Sequence, residues 1–241
     1  MEAVLEVKAV TKRYRSDRGI DRVSFTVYSG DIFGLFGPNG AGKTTLIKSI
    51  TGLCRADAGQ IAIFGHSLTE QFEQAMEHVG CIVETGISHD YLTPYQNLQL
   101  VARYYPEVTR ERIDEVLELV GLSAHKHEKV KGFSSGMKQR AALAAVLLPK
   151  PRLVILDEPT TSLDIEGVRD FRLIVNRLAQ EEQTTFLISS HSIHEMERMC
   201  NRIGIMYGGV MVKEGLVSDL LSDGQTLEDV YLSQIDQAKG A

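Results

Sequence analysis

The chain has 241 residues, of which 43% are hydrophobic and 24% charged, with a formal net charge of -6. That size allows one large α/β domain, or one with an inserted subdomain, stable without disulfides or a structural metal. The acidic balance argues against a nucleic-acid partner, which asks for a basic face. Three scattered cysteines, Cys54, Cys81 and Cys200, show no CxxC or Cys/His spacing, which excludes a disulfide framework or zinc site and fits a reducing compartment.

No basic start followed by an apolar stretch opens the chain, so no signal peptide is read. The longest apolar run, near Ala141 to Leu148, is too short to span a bilayer. The reading is a soluble protein; if it works at a membrane, a partner carries the spanning segments.

Leu5 to Val10 and Val23 to Tyr28 alternate apolar and polar residues, as an exposed antiparallel sheet does. Asp31 to Phe36 reads as a buried strand ending at Gly37, and Thr44 to Leu53 has helical spacing through Leu46, Ile47, Ile50 and Leu53. Short strands follow at Gln60–Gly65 and Cys81–Val83. From about Tyr91 to Val120 helix formers dominate, with Ile113, Val116, Leu117 and Val120 on one face. Residues 88 to 145 are therefore taken as a helical insertion. Strands return at Leu153–Leu156 and Thr184–Ser189, and a helix runs from about His194 to Asn201. A hairpin turns at Gly208-Gly209 between Ile203–Met206 and Val210–Val212. The tail, Leu227 to Ile235, is a short amphipathic helix.

Gly37-Pro38-Asn39-Gly40-Ala41-Gly42-Lys43-Thr44 matches the phosphate-loop pattern GxxxxGK[ST] in full, between a strand and a helix, and Thr45 follows it. Glycines let backbone N–H groups turn inward on an anion, and the helix N-terminus adds partial positive charge. Lys43 can reach the β- and γ-phosphates, and the Thr44 hydroxyl can ligate Mg²⁺. The strand Leu153–Leu156 runs straight into Asp157-Glu158, which suits Asp157 as a second magnesium ligand and Glu158 as the group that polarises the attacking water. These residues establish nucleoside triphosphate use without separating a transport motor from a kinase or helicase; a GTPase would want a base-reading N/TKxD loop, and none is found.

Phe133-Ser134-Ser135-Gly136-Met137-Lys138-Gln139-Arg140, upstream of Asp157, resembles the signature of ATP-binding-cassette (ABC) ATPases, commonly LSGGQ followed by xQR. The resemblance covers nearly all of the chain. It implies an α/β P-loop NTPase fold of ABC type: a mixed central sheet and N-terminal antiparallel β-subdomain (1–87 and 146–241) with an α-helical subdomain inserted at about 88–145. Tyr14 then takes the place of the aromatic that stacks on adenine, Asp164 in Ser162-Leu163-Asp164 that of the D-loop acid, and His191 that of the switch histidine. The family pairs two cassettes head to tail, so Ser134 and the N–H groups of Ser135 and Gly136 would bind the γ-phosphate held by a partner's P-loop. A second cassette, identical or not, and membrane permease subunits are the implied partners, at the cytoplasmic face of the membrane.

Two departures stand out. Phe133, Ser135 and Met137 replace the commonest Leu, Gly and Gln, and Ser135 can still offer its N–H if the turn tolerates a Cβ. After Cys81-Ile82-Val83, Glu84 stands where most of the family has a metal-facing glutamine; it keeps the oxygen, adds charge and loses a donor. The same change is familiar in a branch resembling bacteriocin and peptide-antibiotic export and self-immunity transporters, so Glu84 is expected to retune coupling between the metal site and the membrane partner. The short tail after Gly215 resembles that of ABC-2-type exporters. The expectation is the ATPase subunit of an exporter; the alternative is a non-transport ABC ATPase acting on ribosomes, DNA or iron–sulfur assembly.

Overall fold

A computed structural model describes residues 2–15, 18–84, 89–221 and 225–240, the last four of these in backbone alone. The expected start of the helical insertion, at about residue 88, lies outside the described residues.

The chain opens with β1 (Ala3–Arg13), β2 (Gly19–Tyr28) and β3 (Ile32–Phe36), then α1 (Lys43–Ile50), β4 (Ala58–Ile63) and β5 (His66–Ser67). In β1 and β2 buried and exposed residues largely alternate, and β1 pairs antiparallel with both β2 and β4. These strands make a four-stranded sheet in the order β2-β1-β4-β5. Strand β3 differs: all five of its residues are buried. Helix α1 stops at Ile50, short of the Leu53 where the apolar pattern ends. Its last turn is closed by the Thr51 hydroxyl, which donates to the Ile47 carbonyl, and Gly52 then turns the chain at φ 73°.

After α2 (Phe72–Met76) and β6 (Val79–Ile82) come α3 (Pro94–Ala102), α4 (Arg110–Leu119) and α5 (Ser135–Leu147). Thr93 opens α3 with a capping box: its hydroxyl accepts from the Gln96 N–H while the Gln96 side chain accepts from the Thr93 N–H. Thr109 caps α4 in the simpler way. The rest of the chain is β7 (Leu153–Leu156), α6 (Ile165–Glu181), β8 (Thr185–Ser190), α7 (Ile193–Met199), β9 (Arg202–Tyr207), β10 (Val210–Leu216), α8 (Val217–Leu220) and α9 (Leu227–Gly240). Helix α6 has no counterpart in the sequence reading, although Phe171, Val175, Leu178 and Ala179 give it a buried stripe at helical spacing.

The second sheet has six strands in the order β10-β9-β3-β8-β7-β6, parallel from β9 through β6, with β10 antiparallel at the edge. It is the mixed central sheet that the sequence implied. Phe186 and Ile188 of β8 help build a core with α3 to α7, while Phe33, Leu35 and Leu187 look to the other side, toward α1 and the four-stranded sheet. Burying each such side chain contributes about 1.5–3 kcal/mol. The consequence for function is an order of strand ends: β3, β8, β7 and β6 lie side by side and point the same way. The loops that leave them converge along one edge, where open parallel sheets bind their ligands.

A candidate nucleotide site at the edge of the central sheet

The loop that leaves β3 is the phosphate loop. Gly37 accepts no side chain, because a Cβ there would lie 2.5 Å from the Met206 carbonyl oxygen. Gly42 stands immediately before α1 at φ 103°, and a Cβ would lie 2.6 Å from Ile20 Cγ2. No side chain caps α1 and no acid sits in its first turn. Its first N–H groups are therefore free to meet an anion. Lys43 is almost fully buried, and its Nζ donates to the Gly37 carbonyl at 2.7 Å and the Pro38 carbonyl at 3.3 Å. The same ammonium lies 3.1 Å from Glu158 Oε1.

The loops from β7 and β8 interlock beside it. Ser189, fully buried at the end of β8, donates its hydroxyl to Asp157 Oδ1 at 2.6 Å and accepts the Glu158 N–H at 2.9 Å. His191 Nδ1 lies 2.7 Å from Glu158 Oε2. Glu158 itself sits at φ 49°, a left-handed conformation uncommon for residues with a side chain. Burial pushes its carboxyl up, but the His191 hydrogen bond and the Lys43 charge outweigh this and hold it below the usual glutamate range. Two residues on, the Thr160 hydroxyl donates to Glu195 Oε2 at 2.5 Å, fastening the turn after β7 to α7. Sequence reasoning missed Ser189, Thr160 and Glu195. Only the polar end of an otherwise apolar β8 hinted at the first.

Thr44 lies in the first turn of α1, and Lys48 follows one turn later on the same face. Glu84, the expected metal-facing residue, directs Oε1 to Lys48 Nζ at 2.5 Å. That hydrogen bond raises the Lys48 pKa. Glu84 also has a left-handed backbone, φ 65°. Two acids of this edge thus occupy conformations that the surrounding structure must enforce, a pattern that clusters at functional sites.

Tyr14 is half-exposed, with Lys12 Nζ 5.8 Å from its ring centroid. Its N–H donates to the Arg18 carbonyl at 2.8 Å. A nearby cavity of about 370 Å³ is lined by Arg13, Arg18, Gly40 and Gly209, joining the β1–β2 turn to the phosphate loop. The two arginines had no place in the sequence reading.

The signature residues form a separate place on the surface. Ser134 caps α5, its hydroxyl accepting from the Met137 N–H at 3.2 Å. Ser135 is not among the left-handed residues, so its Cβ is accommodated, and its hydroxyl donates to the Ser162 carbonyl at 3.0 Å. Asp164 caps α6 by accepting from the Gly167 N–H at 2.8 Å. A cavity of about 310 Å³ runs between them, lined by Ser134, Ser135, Gly136, Ser162 and Asp164 among others. Phe133 is buried in the core, filling the apolar place of the usual leucine.

Known proteins agree with this architecture. The family described as ABC transporter matches residues 20–161, a span that takes in the phosphate loop, Ser134 to Gly136 and Asp157-Glu158. The ABC transporter ATP-binding protein YhcH of Bacillus subtilis (strain 168) is 44% identical over 241 residues, 100% of this chain and 78% of that protein. The bacitracin transport ATP-binding protein BcrA of Bacillus licheniformis is 39% identical over 214 residues, 89% of this chain and 70% of that protein. A solved structure described as an ATP-binding subunit of an ABC transporter superposes with a TM-score of 0.85 at 28% identity, covering 96% of this chain and 99% of that one. The fold and the converging loops define an ATP-binding cassette of the P-loop class. The chain belongs to the ABC transporter family, as its ATP-binding, ATP-hydrolysing component. Among the described residues no helix is long and apolar enough to cross a membrane.

Proposed function

We propose that this cassette powers an exporter from the cytoplasmic face of the membrane, paired with a second cassette and docked on separate membrane-spanning subunits. The observation that carries the catalytic part is the meeting of Lys43, Glu158 and His191, brought from three adjacent strand ends. ATP phosphates entering residues 37–45 would draw Lys43 away from the Gly37 and Pro38 carbonyls and from Glu158. With that charge gone, burial is opposed chiefly by His191, so the Glu158 carboxylate becomes a stronger base as the substrate arrives. Glu158 would then take the proton of the attacking water, with His191 orienting it and reaching toward the γ-phosphate. Tyr14 would stack on the adenine.

Mg²⁺ suits the donors present: the Thr44 hydroxyl and the Asp157 carboxylate are hard oxygen ligands, and Asp157 is buried with one oxygen fixed by Ser189. Bound with ATP, it would neutralise charge on the phosphates. Ser134, Ser135 and Gly136 would offer the N-terminus of α5 to the ATP held by the partner cassette, with Asp164 beside them. The region from Glu84 to Asn97, of which residues 85–88 lie outside the described structure, would contact the membrane subunits.

Export is favoured by relatives such as the bacitracin transport protein, which makes a peptide antibiotic or other hydrophobic compound the proposed cargo. The test is steady-state ATP hydrolysis with wild type and Glu158→Gln, together with the identity of the chains that co-purify. The variant is expected to bind ATP and lose at least about 100-fold in turnover, the range for a positioned acid–base group. Normal turnover would overturn Glu158 as the base, and co-purification with ribosomes in place of a membrane protein would overturn the transport reading.

A further inference from the structure

Glu84 stands beside the strand end that carries Asp157. Strand β6 runs parallel to β7 with Ile82 opposite Leu156, and the Asp157 N–H donates to the Ile82 carbonyl at 2.9 Å. Two residues past that carbonyl, a carboxylate at the rim of the proposed phosphate site adds negative charge where a highly anionic substrate must enter. Glu84 is largely exposed, so water and salt screen its repulsion of an incoming anion, which is felt most at low ionic strength. The carboxylate is not alone. Lys48 lies four residues after Thr44 in α1, so both project from one face of the phosphate-loop helix, and the Lys48 ammonium is 2.5 Å from Glu84 Oε1.

We propose that Lys48 is the positioning residue that makes a glutamate workable here: it neutralises Glu84 and fixes it against α1, so that arriving phosphates meet a paired carboxylate. The proposal rests on the ATP-site reading given above. It sets Lys48 apart from an ordinary surface ion pair, which does little. What matters is the charge left behind when the lysine is removed. That residual charge acts on ATP only if position 84 is acidic, so Lys48 and Glu84 are thermodynamically coupled in nucleotide binding.

The experiment is a double-substitution cycle with wild type, Lys48→Gln, Glu84→Gln and the double variant. Binding of trinitrophenyl-ATP is measured by fluorescence in EDTA, so that neither metal nor turnover enters. Glutamine has nearly the helix propensity of lysine, and Lys48 is partly exposed, so the fold is kept. At low salt Lys48→Gln is expected to weaken binding about 5-fold when Glu84 is present and no more than about 1.5-fold in the Glu84→Gln background, with the difference shrinking in about 0.5 M salt. An equal loss in both backgrounds would mean that Lys48 touches nucleotide on its own account, and no loss in either would mean a mere surface pair; each overturns the proposal. Failure of wild type to bind the probe at all would instead overturn the ATP-site reading, and this proposal with it.

Discussion

Glu158 shows how a single residue is made ready. Its backbone is held left-handed, its N–H is anchored by Ser189, and its two carboxylate oxygens are divided between Lys43 and His191. The lowered pKa has a consequence for stability. A carboxyl whose folded-state pKa is depressed stabilises the fold above its unfolded value, near 4.5, and that contribution is lost as pH falls through the lower folded value. Glutamine at this position cannot ionise. The difference in melting temperature between wild type and Glu158→Gln is therefore expected to move against wild type as pH drops below about 4.5. Thermal melts of the nucleotide-free protein from pH 7 to pH 3.5 read this directly (a window set by the carboxylate range), and a difference that stays flat across it would contradict the assigned contacts.

At the scale of elements, Asp164 has two separable roles. It caps α6 in this chain through the Gly167 N–H, and it is proposed to face the partner cassette. Loss of a cap costs about 1 kcal/mol, whereas asparagine caps as well as aspartate. Asp164→Ala should lower urea-measured stability by about that amount and Asp164→Asn by a few tenths at most. If both variants impair ATP turnover equally, the charge matters beyond the cap; a stability loss in the asparagine variant equal to that in the alanine variant would refute the capping role. The helix that Asp164 starts was legible in principle. Gly167 and Arg169 interrupt its pattern, yet Phe171, Val175 and Leu178 keep helical spacing. The phosphate loop, the buried β3 and β7 and the Gly208-Gly209 hairpin were readable because each is local: a motif, a run or a turn within a dozen residues. The contacts of Lys43 with Glu158, Lys48 with Glu84 and Thr160 with Glu195 join residues 35 or more apart in sequence. No periodicity encodes them; they follow from the strand order β3-β8-β7-β6, which becomes visible only when the sheet is assembled.

At the scale of the whole molecule, the two helix ends proposed to accept phosphate lie in different places: α1 behind the phosphate loop and α5 behind Ser134. The cavity at α5 is lined by the first turns of that helix, the Ser162–Gly167 turn and the segment after α4 around Gly121 and His125, and none of the residues lining it belongs to the phosphate loop. A cassette that uses both ends on one nucleotide must therefore meet a second cassette. Gly136 offers a way to test this without damaging the protomer. It sits in the first turn of α5, and a Cβ there would meet nothing closer than 3.4 Å. An acid in the first turn of a helix is mildly stabilising, by about 0.3–1 kcal/mol. The same charge would repel a γ-phosphate offered from across an interface. Gly136→Glu is thus expected to keep or slightly raise thermal stability and to leave ATP affinity of the isolated cassette within about 2-fold, since distant sites act independently. In the Glu158→Gln background, where ATP should trap a pair, sedimentation should show the dimer disappearing once Gly136→Glu is added. An ATP-induced dimer that persists in the double variant would place the second half of the site elsewhere on the surface.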